Sequence, residues 1–451
     1  MSGTEPGRDG KGGPRGIDAS FGPGAVGLAG REWLVVAAIV AAVLAALPFA
    51  WKRIEPLPPG PDLRLPYRLG SDYWTYARLV EQAAARDATL VVGDSVVWGH
   101  YVAKDETLSG SLNALGGAER FANLGVDGIH PAALEGLVAY YGGAAAGRRV
   151  VLHCNLLWMS SERHDLRVAK EFAFNHPRLV PQFVPWIPCY REPVAGRLAI
   201  VIGRRLPFSG WANHLRVAYW DDLDLASWTL EHPYECPAGA VTLRLPSPDE
   251  PPSPAPDARP WTAKGIARFA PAWVDLDGSL QWAALRRTVE MLLGRGSRVF
   301  VLVGPFNEPM LEPASLAAYK ERVREVEAWL GGRGIPCRVP AALPSACYAD
   351  ASHPLADGYR LLAEGLLADE EFRRFCELGP AGEGRAPLGS SSRRFWRLRR
   401  SRLPLRRSPQ RPRPPRLTRR PRRPRRRSGS SSRATGPASG GCGPSSPTAR
   451  T

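Results

Sequence analysis

Short runs of apolar residues alternate along this chain with longer segments in which apolar positions recur every three or four residues. The apolar runs have the length of strands and lie at 88–92, 120–124, 149–153, 299–303 and 336–339. The amphipathic segments predict helices at 73–86, 131–141, 283–293, 314–330 and 355–368. Strands that alternate with helices predict an α/β fold with a mostly parallel sheet, covered by helices on both faces.

One long segment breaks this alternation. Residues 160–275 are rich in Trp, Pro and Arg, and their apolar positions show little periodicity. A segment of this length inside a compact domain is usually functional or forms a small subdomain. We therefore expect an insertion at about 160–275 that covers the functional site and shapes its groove, within a domain that spans 73–378.

A continuous apolar stretch precedes the domain. Residues 33–51 contain no charged side chain and have a Trp at each end. This is about the length that a helix needs to cross a bilayer, and Trp is enriched at membrane surfaces. A secretory signal peptide is the alternative, although its apolar core is usually shorter. We predict an uncleaved transmembrane anchor, preceded by a disordered Gly-rich segment at 1–30 and followed by a Pro-rich linker at 54–72.

The charges on the two sides of this stretch nearly balance. Four basic residues precede it, and Lys52 and Arg53 follow it, so the positive-inside rule gives little information on orientation. The short N-terminal segment and the large C-terminal body favour a single-pass protein. Its domain is then expected on the periplasmic or extracellular side of the membrane.

Positive charge is concentrated at the C-terminal end. The formal net charge is +17, but 21 arginines and no acidic residue lie after residue 384, and without these arginines the net charge is −4. The segment 379–451 is rich in Arg, Pro and Ser, which predicts disorder. It either contacts a polyanion, such as anionic lipid, a wall polymer or nucleic acid, or reflects a reading-frame slip in GC-rich DNA. Because the body is mildly acidic, we expect no specific nucleic-acid partner.

The seven cysteines give little support for a metal site. None of them belongs to a Cys-x-x-Cys pair, the spacing typical of zinc ligands. Buried free thiols are one interpretation. If the domain is exported, Cys337–Cys347 and Cys189–Cys236 are candidate disulfides.

Two short motifs carry candidate chemistry. Gly93-Asp94-Ser95 directly follows the strand predicted at 88–92. At such a turn the serine hydroxyl lies at an exposed edge of the sheet, near backbone N–H groups that can hold an anion. Near the other end of the domain, Asp350 precedes His353 by three residues. That carboxylate can accept from one imidazole nitrogen while the other nitrogen takes the serine proton.

These motifs resemble two of the four sequence blocks of the SGNH/GDSL hydrolase superfamily. The run from Gly93 to Gly99 is similar to the first block, and the resemblance implies that Ser95 is the nucleophile. The run from Asp350 to Pro354 is similar to the last block, in which Asp350 orients His353. Members of the superfamily share a flavodoxin-like three-layer α/β/α sandwich, which is therefore the expected architecture.

The other two blocks of the superfamily supply the oxyanion hole. Asn123-Leu124-Gly125-Val126-Asp127-Gly128 is similar to the second block, which provides a glycine N–H. Gly128 is the best match, and Gly125 is the alternative. The third block is commonly Gly-x-Asn-Asp after a strand. Here Asn155 stands in the asparagine position, but the flanking Gly and Asp are missing.

The resemblance implies a membrane-anchored serine esterase or O-acyltransferase without cofactor or metal. Its substrate is an acyl ester, and the anchor favours cell-envelope or extracellular carbohydrate. The alternative is a catalytically inactive scaffold or carbohydrate-binding protein of an envelope complex. The altered surroundings of Asn155 favour that alternative, whereas the presence of Ser95, Asp350 and His353 argues against it.

Overall fold

The computed structural model describes residues 28–57, 64–252 and 254–378. Within these ranges the chain forms one sheet and thirteen α-helices. The strands are β1 (Thr89–Gly93), β2 (Phe121–Gly125), β3 (Arg149–Cys154), β4 (Arg298–Val303) and β5 (Cys337–Arg338). The helices are α1 (Gly30–Ile54), α2 (Tyr73–Ala85), α3 (Ser95–Trp98), α4 (Leu108–Gly116), α5 (Pro131–Tyr141), α6 (Val194–Gly203), α7 (Pro207–Tyr219), α8 (Leu225–Glu231), α9 (Pro237–Ala240), α10 (Leu280–Gly294), α11 (Pro313–Gly331), α12 (Ala356–Ala368) and α13 (Glu370–Phe375).

The five strands run parallel in the order β2-β1-β3-β4-β5. Side chains of β1 alternate between two apolar cores, as the two-residue period of a strand requires. Leu90 and Val92 belong to a core that includes residues of α2, α5 and α10, whereas Val91 belongs to a core with residues of α4 and α12. Helices therefore cover both faces of a parallel sheet, and the predicted α/β class is confirmed.

All ten strands and helices that the apolar pattern predicts are present, but it does not predict α4. The sequence of α4 contains Gly110 and Gly116, which lower helix propensity. The helix forms because Leu108 and Leu112 are buried in the core shared with α12, while Thr107 caps its first turn. Tertiary packing overrides local propensity at this position.

Four helices, α6 to α9, lie within the expected insertion. The expected linker at 54–72 is not a free spacer where it is described, because Leu65 and Leu69 are buried in the core. Residues 58–63 of that linker lie outside the described residues, as does the predicted disordered tail at 379–451. The predicted N-terminal segment at 1–30 is also outside them, except for its last three residues.

Helix α1 is long and apolar enough to cross a membrane, by its length and composition. Most of its side chains are exposed, including Trp33 and Phe49. Its C-terminal end is attached to the domain, since the Trp51 ring packs edge-on against Trp211 of α7 at a centroid distance of 5.6 Å. The end of the apolar helix is thereby held against the domain surface.

A buried network of charged side chains lies where α1 ends. Glu55 follows α1, is completely buried and pairs with Arg78 of α2. His214 of α7 is also completely buried; its Nδ1 lies 2.7 Å from Asp72 Oδ2 and its Nε2 lies 3.0 Å from Glu55 Oε1. Burial lowers the pKa of His214, but the hydrogen bonds and charges of Asp72 and Glu55 outweigh it and raise the pKa to about 9.

Because of this network, we expect the folded protein to lose stability in mild alkali. His214 binds its proton more tightly in the folded chain than at its ordinary pKa of 6.5. Its contribution is therefore complete below about pH 6.5 and is lost as the pH rises through about 9. We expect the unfolding temperature of the full-length protein in detergent to fall by several degrees across this range. The fall should be smaller in His214→Gln and unchanged in His232→Gln, a control on a partly exposed histidine. If the unfolding temperature falls equally with pH in all three proteins, His214 does not cause the loss of stability.

The six described cysteines are free thiols. The two candidate pairs, Cys337–Cys347 and Cys189–Cys236, are therefore not bonded in this structure, and Cys442 lies outside the described residues. Burial raises the pKa of the Cys154 thiol to about 12, which keeps it in the uncharged form at neutral pH.

Candidate active site

The sequence-predicted residues meet at the carboxyl edge of the sheet. Ser95 opens α3, two residues after β1, and Asn155 directly follows β3. Strands β1 and β3 are neighbours at the centre of the sheet, and the chain continues from them to opposite edges. In open α/β sheets this point, where the strand order reverses, leaves a crevice that commonly binds ligands.

Ser95, His353 and Asp350 form one hydrogen-bonded chain. His353 Nε2 lies 2.8 Å from Ser95 Oγ, and His353 Nδ1 lies 2.8 Å and 2.9 Å from the two carboxylate oxygens of Asp350. An ionised carboxylate can only accept, so Nδ1 carries a proton and Nε2 accepts from the serine hydroxyl. Ser95 and His353, which are 258 positions apart in sequence, are thus brought into direct contact.

Asp350 is held in its ionised form. The backbone N–H groups of Ser352 and His353 each donate to its Oδ1 at 3.0 Å, and the Tyr101 hydroxyl donates to Oδ2 at 3.1 Å. Burial raises the pKa of Asp350, but the contact with His353 and the two backbone donors outweigh it, and the pKa lies well below its usual value. Asn307 secures the same loop by donating from Nδ2 to the Asp350 carbonyl at 3.1 Å.

His353 is a stronger base than an ordinary histidine. Burial lowers its pKa, but the charge of Asp350 and its hydrogen bond act in the opposite direction and outweigh burial. The carboxylates of Asp94 and Asp127 add to this effect, so the pKa of His353 lies above its usual value of 6.5. The imidazole is therefore suited to take a proton from Ser95 and to hold it.

Asp94 anchors the turn that carries the serine. Its Oδ1 accepts from the Val96 N–H at 3.0 Å and from His153 Nδ1 at 3.1 Å, while its Oδ2 accepts from Asn155 Nδ2 at 2.8 Å and from Trp158 Nε1 at 2.9 Å. Burial raises the pKa of Asp94, but the charge of His153 and the hydrogen bonds from His153, Trp158 and Asn155 outweigh it and lower the pKa to about 2. The carboxylate thus ties the end of β1 to the end of β3.

The two candidate glycines differ in what their N–H groups do. The Gly125 N–H donates to Asn123 Oδ1 at 3.0 Å, and a Cβ at Gly125 would lie 2.3 Å from the Trp98 backbone nitrogen. Gly125 is therefore required for close packing. Gly128 has a positive φ of 69°, and its N–H makes no hydrogen bond within the described part of the chain. Of the two, only Gly128 has an N–H to offer.

Asn155 has one amide proton engaged by Asp94, and its Oδ1 accepts from the Leu157 N–H at 3.0 Å. An amide carries two N–H donors, so one donor is left. The side chain is fixed at both ends and is 95% buried against the strand ends. Asp94 and the Leu157 N–H thereby hold the Asn155 side chain in place, although the Gly and Asp expected beside it in the sequence are missing.

Several residues at the site were not predicted as functional. Tyr101 contacts Asp350, and Lys264 Nζ lies 4.6 Å from the centre of the Tyr101 ring while donating to the Ala349 carbonyl at 3.0 Å. His100 lies beside His353, with ring centroids 5.8 Å apart. The position of His100 directly after the first motif was a sequence feature that could have indicated a place at the site. Lys264 belongs to the insertion, where the sequence gave no signal.

Among the described residues no group of three or more His, Cys, Asp or Glu side chains is arranged to hold a metal ion. A scan against models of protein families finds no match to this chain, and a search of curated proteins also finds none.

Proposed function

We propose that this protein is a membrane-anchored serine esterase or O-acyltransferase of the SGNH/GDSL type. The observation that carries the proposal is the chain of hydrogen bonds from Ser95 through His353 to Asp350, with distances of 2.8 Å on both sides of the imidazole. A serine hydroxyl in contact with an imidazole that a buried carboxylate orients is the arrangement of an activated nucleophile.

The architecture supports the same class. The strand order β2-β1-β3-β4-β5 is the doubly wound order of flavodoxin-like folds. Ser95, Gly128 and Asn155 follow three neighbouring strands in the order that the superfamily resemblance implies. The assignment to the SGNH/GDSL superfamily and to a three-layer α/β/α sandwich is thus an inference from order and position.

The proposed reaction begins with acylation of Ser95. Its Oγ attacks the acyl carbonyl while His353 Nε2 takes the hydroxyl proton, and Asp350 stabilises the imidazolium that forms. The carbonyl oxygen becomes an oxyanion that accepts hydrogen bonds from the backbone N–H groups of Ser95 and Gly128 and from the remaining amide N–H of Asn155. The tetrahedral intermediate then expels the alcohol, which takes the proton back from His353.

The second half of the reaction transfers the acyl group. A hydroxyl compound attacks the Ser95 ester, His353 takes its proton, and the Ser95 oxygen leaves with that proton. Water as acceptor gives hydrolysis, and a sugar hydroxyl gives O-acyl transfer. Helix α1 and its packing against α7 favour an acceptor near a membrane surface, such as cell-envelope carbohydrate. We propose that this surface is the periplasmic or extracellular one.

Asn155→Ala is expected to lower kcat by about 10²- to 10³-fold, the usual cost of losing one oxyanion donor. Esterase kinetics with p-nitrophenyl acetate measure this change. Trp158→Phe is a matched control, because Trp158 donates to the same Asp94 oxygen as Asn155 but is given no oxyanion role. If both variants lose the same activity, Asn155 acts only by supporting Asp94.

Covalent labelling tests the proposed function directly. The full-length protein in detergent is treated with a fluorophosphonate probe, and the modified residue is identified by mass spectrometry. We expect a label on Ser95 that is prevented by prior acylation. A folded protein that never takes the label would overturn the proposal and favour an inactive scaffold or carbohydrate-binding protein.

A further inference from the structure

A second imidazole–carboxylate pair lies beside the Ser95–His353–Asp350 chain. His100 Nδ1 lies 2.7 Å from Asp127 Oδ1, and the two side chains are 25% and 21% exposed. The carboxylate fixes the proton on Nδ1, so Nε2 is left as an acceptor. Within the described residues nothing hydrogen-bonds to this nitrogen. The pair has the form of a catalytic dyad, but among the described residues its side chains make no hydrogen bond to a serine. The His100 backbone N–H donates to the Ser95 carbonyl at 3.2 Å, which fixes the pair beside the nucleophile.

His100 also borders a cavity next to the site. The cavity has a volume of about 260 Å³, and its lining includes His100 and Tyr101, Pro252 and Pro256 of the insertion, and Arg64. Tyr101 donates to Asp350, so the cavity adjoins the reacting groups. Ring surfaces around a few polar groups are typical of sites that bind small organic ligands.

We propose that His100 and Asp127 form the acceptor site, and that the acceptor carries two neighbouring hydroxyl groups, as sugars and polyols do. This inference rests on the function proposed above. The attacking hydroxyl gives its proton to His353, and His100 Nε2 accepts a hydrogen bond from the adjacent hydroxyl. The two imidazoles, with centroids 5.8 Å apart, then hold two hydroxyls of the same molecule.

Proton balance assigns the binding role to His100. In the acyl-enzyme His353 is neutral and carries its only proton on Nδ1, facing Asp350. The bond from the acceptor oxygen to the acyl carbon forms, the bond from Ser95 Oγ to that carbon breaks, and one proton moves from the acceptor to Ser95 Oγ. His353 can both take and return this proton. If His100 took it, the leaving Ser95 oxygen would have no donor.

Asp127 disfavours an anionic acceptor at the position of the second hydroxyl. Its carboxylate contacts His100 and would repel a group such as a phosphate bound at Nε2. The other charges at the cavity are of both signs, because Arg64 lines it and Asp249 pairs with Lys104 at 3.4 Å. A neutral diol gains a hydrogen bond at Nε2 without a charge penalty.

Two isomeric alcohols test the acceptor site in the full-length protein in detergent. With p-nitrophenyl acetate as donor, 1,2-propanediol offers adjacent hydroxyls and 1,3-propanediol does not. We expect wild-type protein to form the acetylated 1,2-isomer roughly tenfold faster at equal concentration, the worth of one hydrogen bond. Product is measured by mass spectrometry.

His100→Ala is expected to lose this preference while still taking the fluorophosphonate label on Ser95. Asp127→Asn should lose the preference as well, with slower labelling, because the Asp127 carboxylate helps to raise the pKa of His353. His232→Ala, on a distant helix end, should retain the preference. A preference that survives in both site variants, or equal rates in the wild type, would overturn the acceptor site alone. A wild-type protein that takes no label would overturn the proposed function and the acceptor site together.

Discussion

Ser95→Ala is expected to abolish fluorophosphonate labelling and to lower the turnover of p-nitrophenyl acetate by about 10⁴- to 10⁶-fold. In the proposed reaction this hydroxyl forms the covalent intermediate, and its contact with His353 at 2.8 Å is the proposed means of its activation. The substitution removes one oxygen atom at a partly exposed position, so the fold should persist. Any remaining rate comes from the oxyanion donors and from substrate binding.

Ser227→Ala is the matched control for this variant. Ser227 lies on α8, and its hydroxyl donates to Asp224 at the exposed helix end. It should label and turn over at the wild-type rate. If Ser95→Ala keeps its esterase activity after purification to homogeneity, Ser95 is not the nucleophile. Thermal unfolding of both variants checks that they are folded.

Asp350→Asn is expected to lower kcat by about 10⁴-fold, because an amide at this position can donate to Nδ1 and favours the wrong imidazole tautomer. The pH dependence of kcat/KM should change as well. In the wild type the rate rises as His353 loses its proton, and this rise should lie above pH 6.5 because Asp350 raises the pKa of His353. Without that carboxylate the rise should move to lower pH.

Stopped-flow measurement of p-nitrophenol release between pH 5 and 9 gives kcat and the pH dependence of kcat/KM. Asp357→Asn provides the control, since Asp357 is an exposed carboxylate in the first turn of α12, close to Asp350 in sequence. It should leave the profile unchanged. A profile in Asp350→Asn that rises at the wild-type pH would show that Asp350 does not set the pKa of His353.

Much of the fold could be predicted from apolar patterns. Strands β1, β3 and β4 are runs of Val, Leu and Phe that are buried on both faces, and such runs are readable without any knowledge of the tertiary structure. Helix α4 could not be predicted in this way, because its glycines weaken the local signal and its stability comes from packing against α12. The helices of the insertion, α6 to α9, could not be predicted either, because apolar positions in residues 160–275 show little periodicity.

Some residues of the candidate site could also be predicted from the sequence, and others could not. Ser95 could be found because its motif directly follows a strong strand, and His353 because Asp350 lies three residues before it. The position of His100 directly after the first motif was a sequence signal, but the role that we propose for it could not be predicted, since its partner Asp127 lies 27 residues away. The choice between Gly125 and Gly128 was open in the sequence. It depended on the Asn123 side chain, which occupies one of the two N–H groups.

The sequence by itself determined the α/β class, the apolar helix before the domain and the residues Ser95, Asp350 and His353. Each of these can be recognised from residues that are close together in the sequence, and their spacing is the same whether or not the chain is folded. Only the tertiary structure decided that these residues touch, that Asp94 holds Asn155 without the expected neighbours, and that His100 and Asp127 form a second pair. Such contacts join segments that are distant in sequence, and they exist only after the parallel strands have brought their carboxyl ends to one edge.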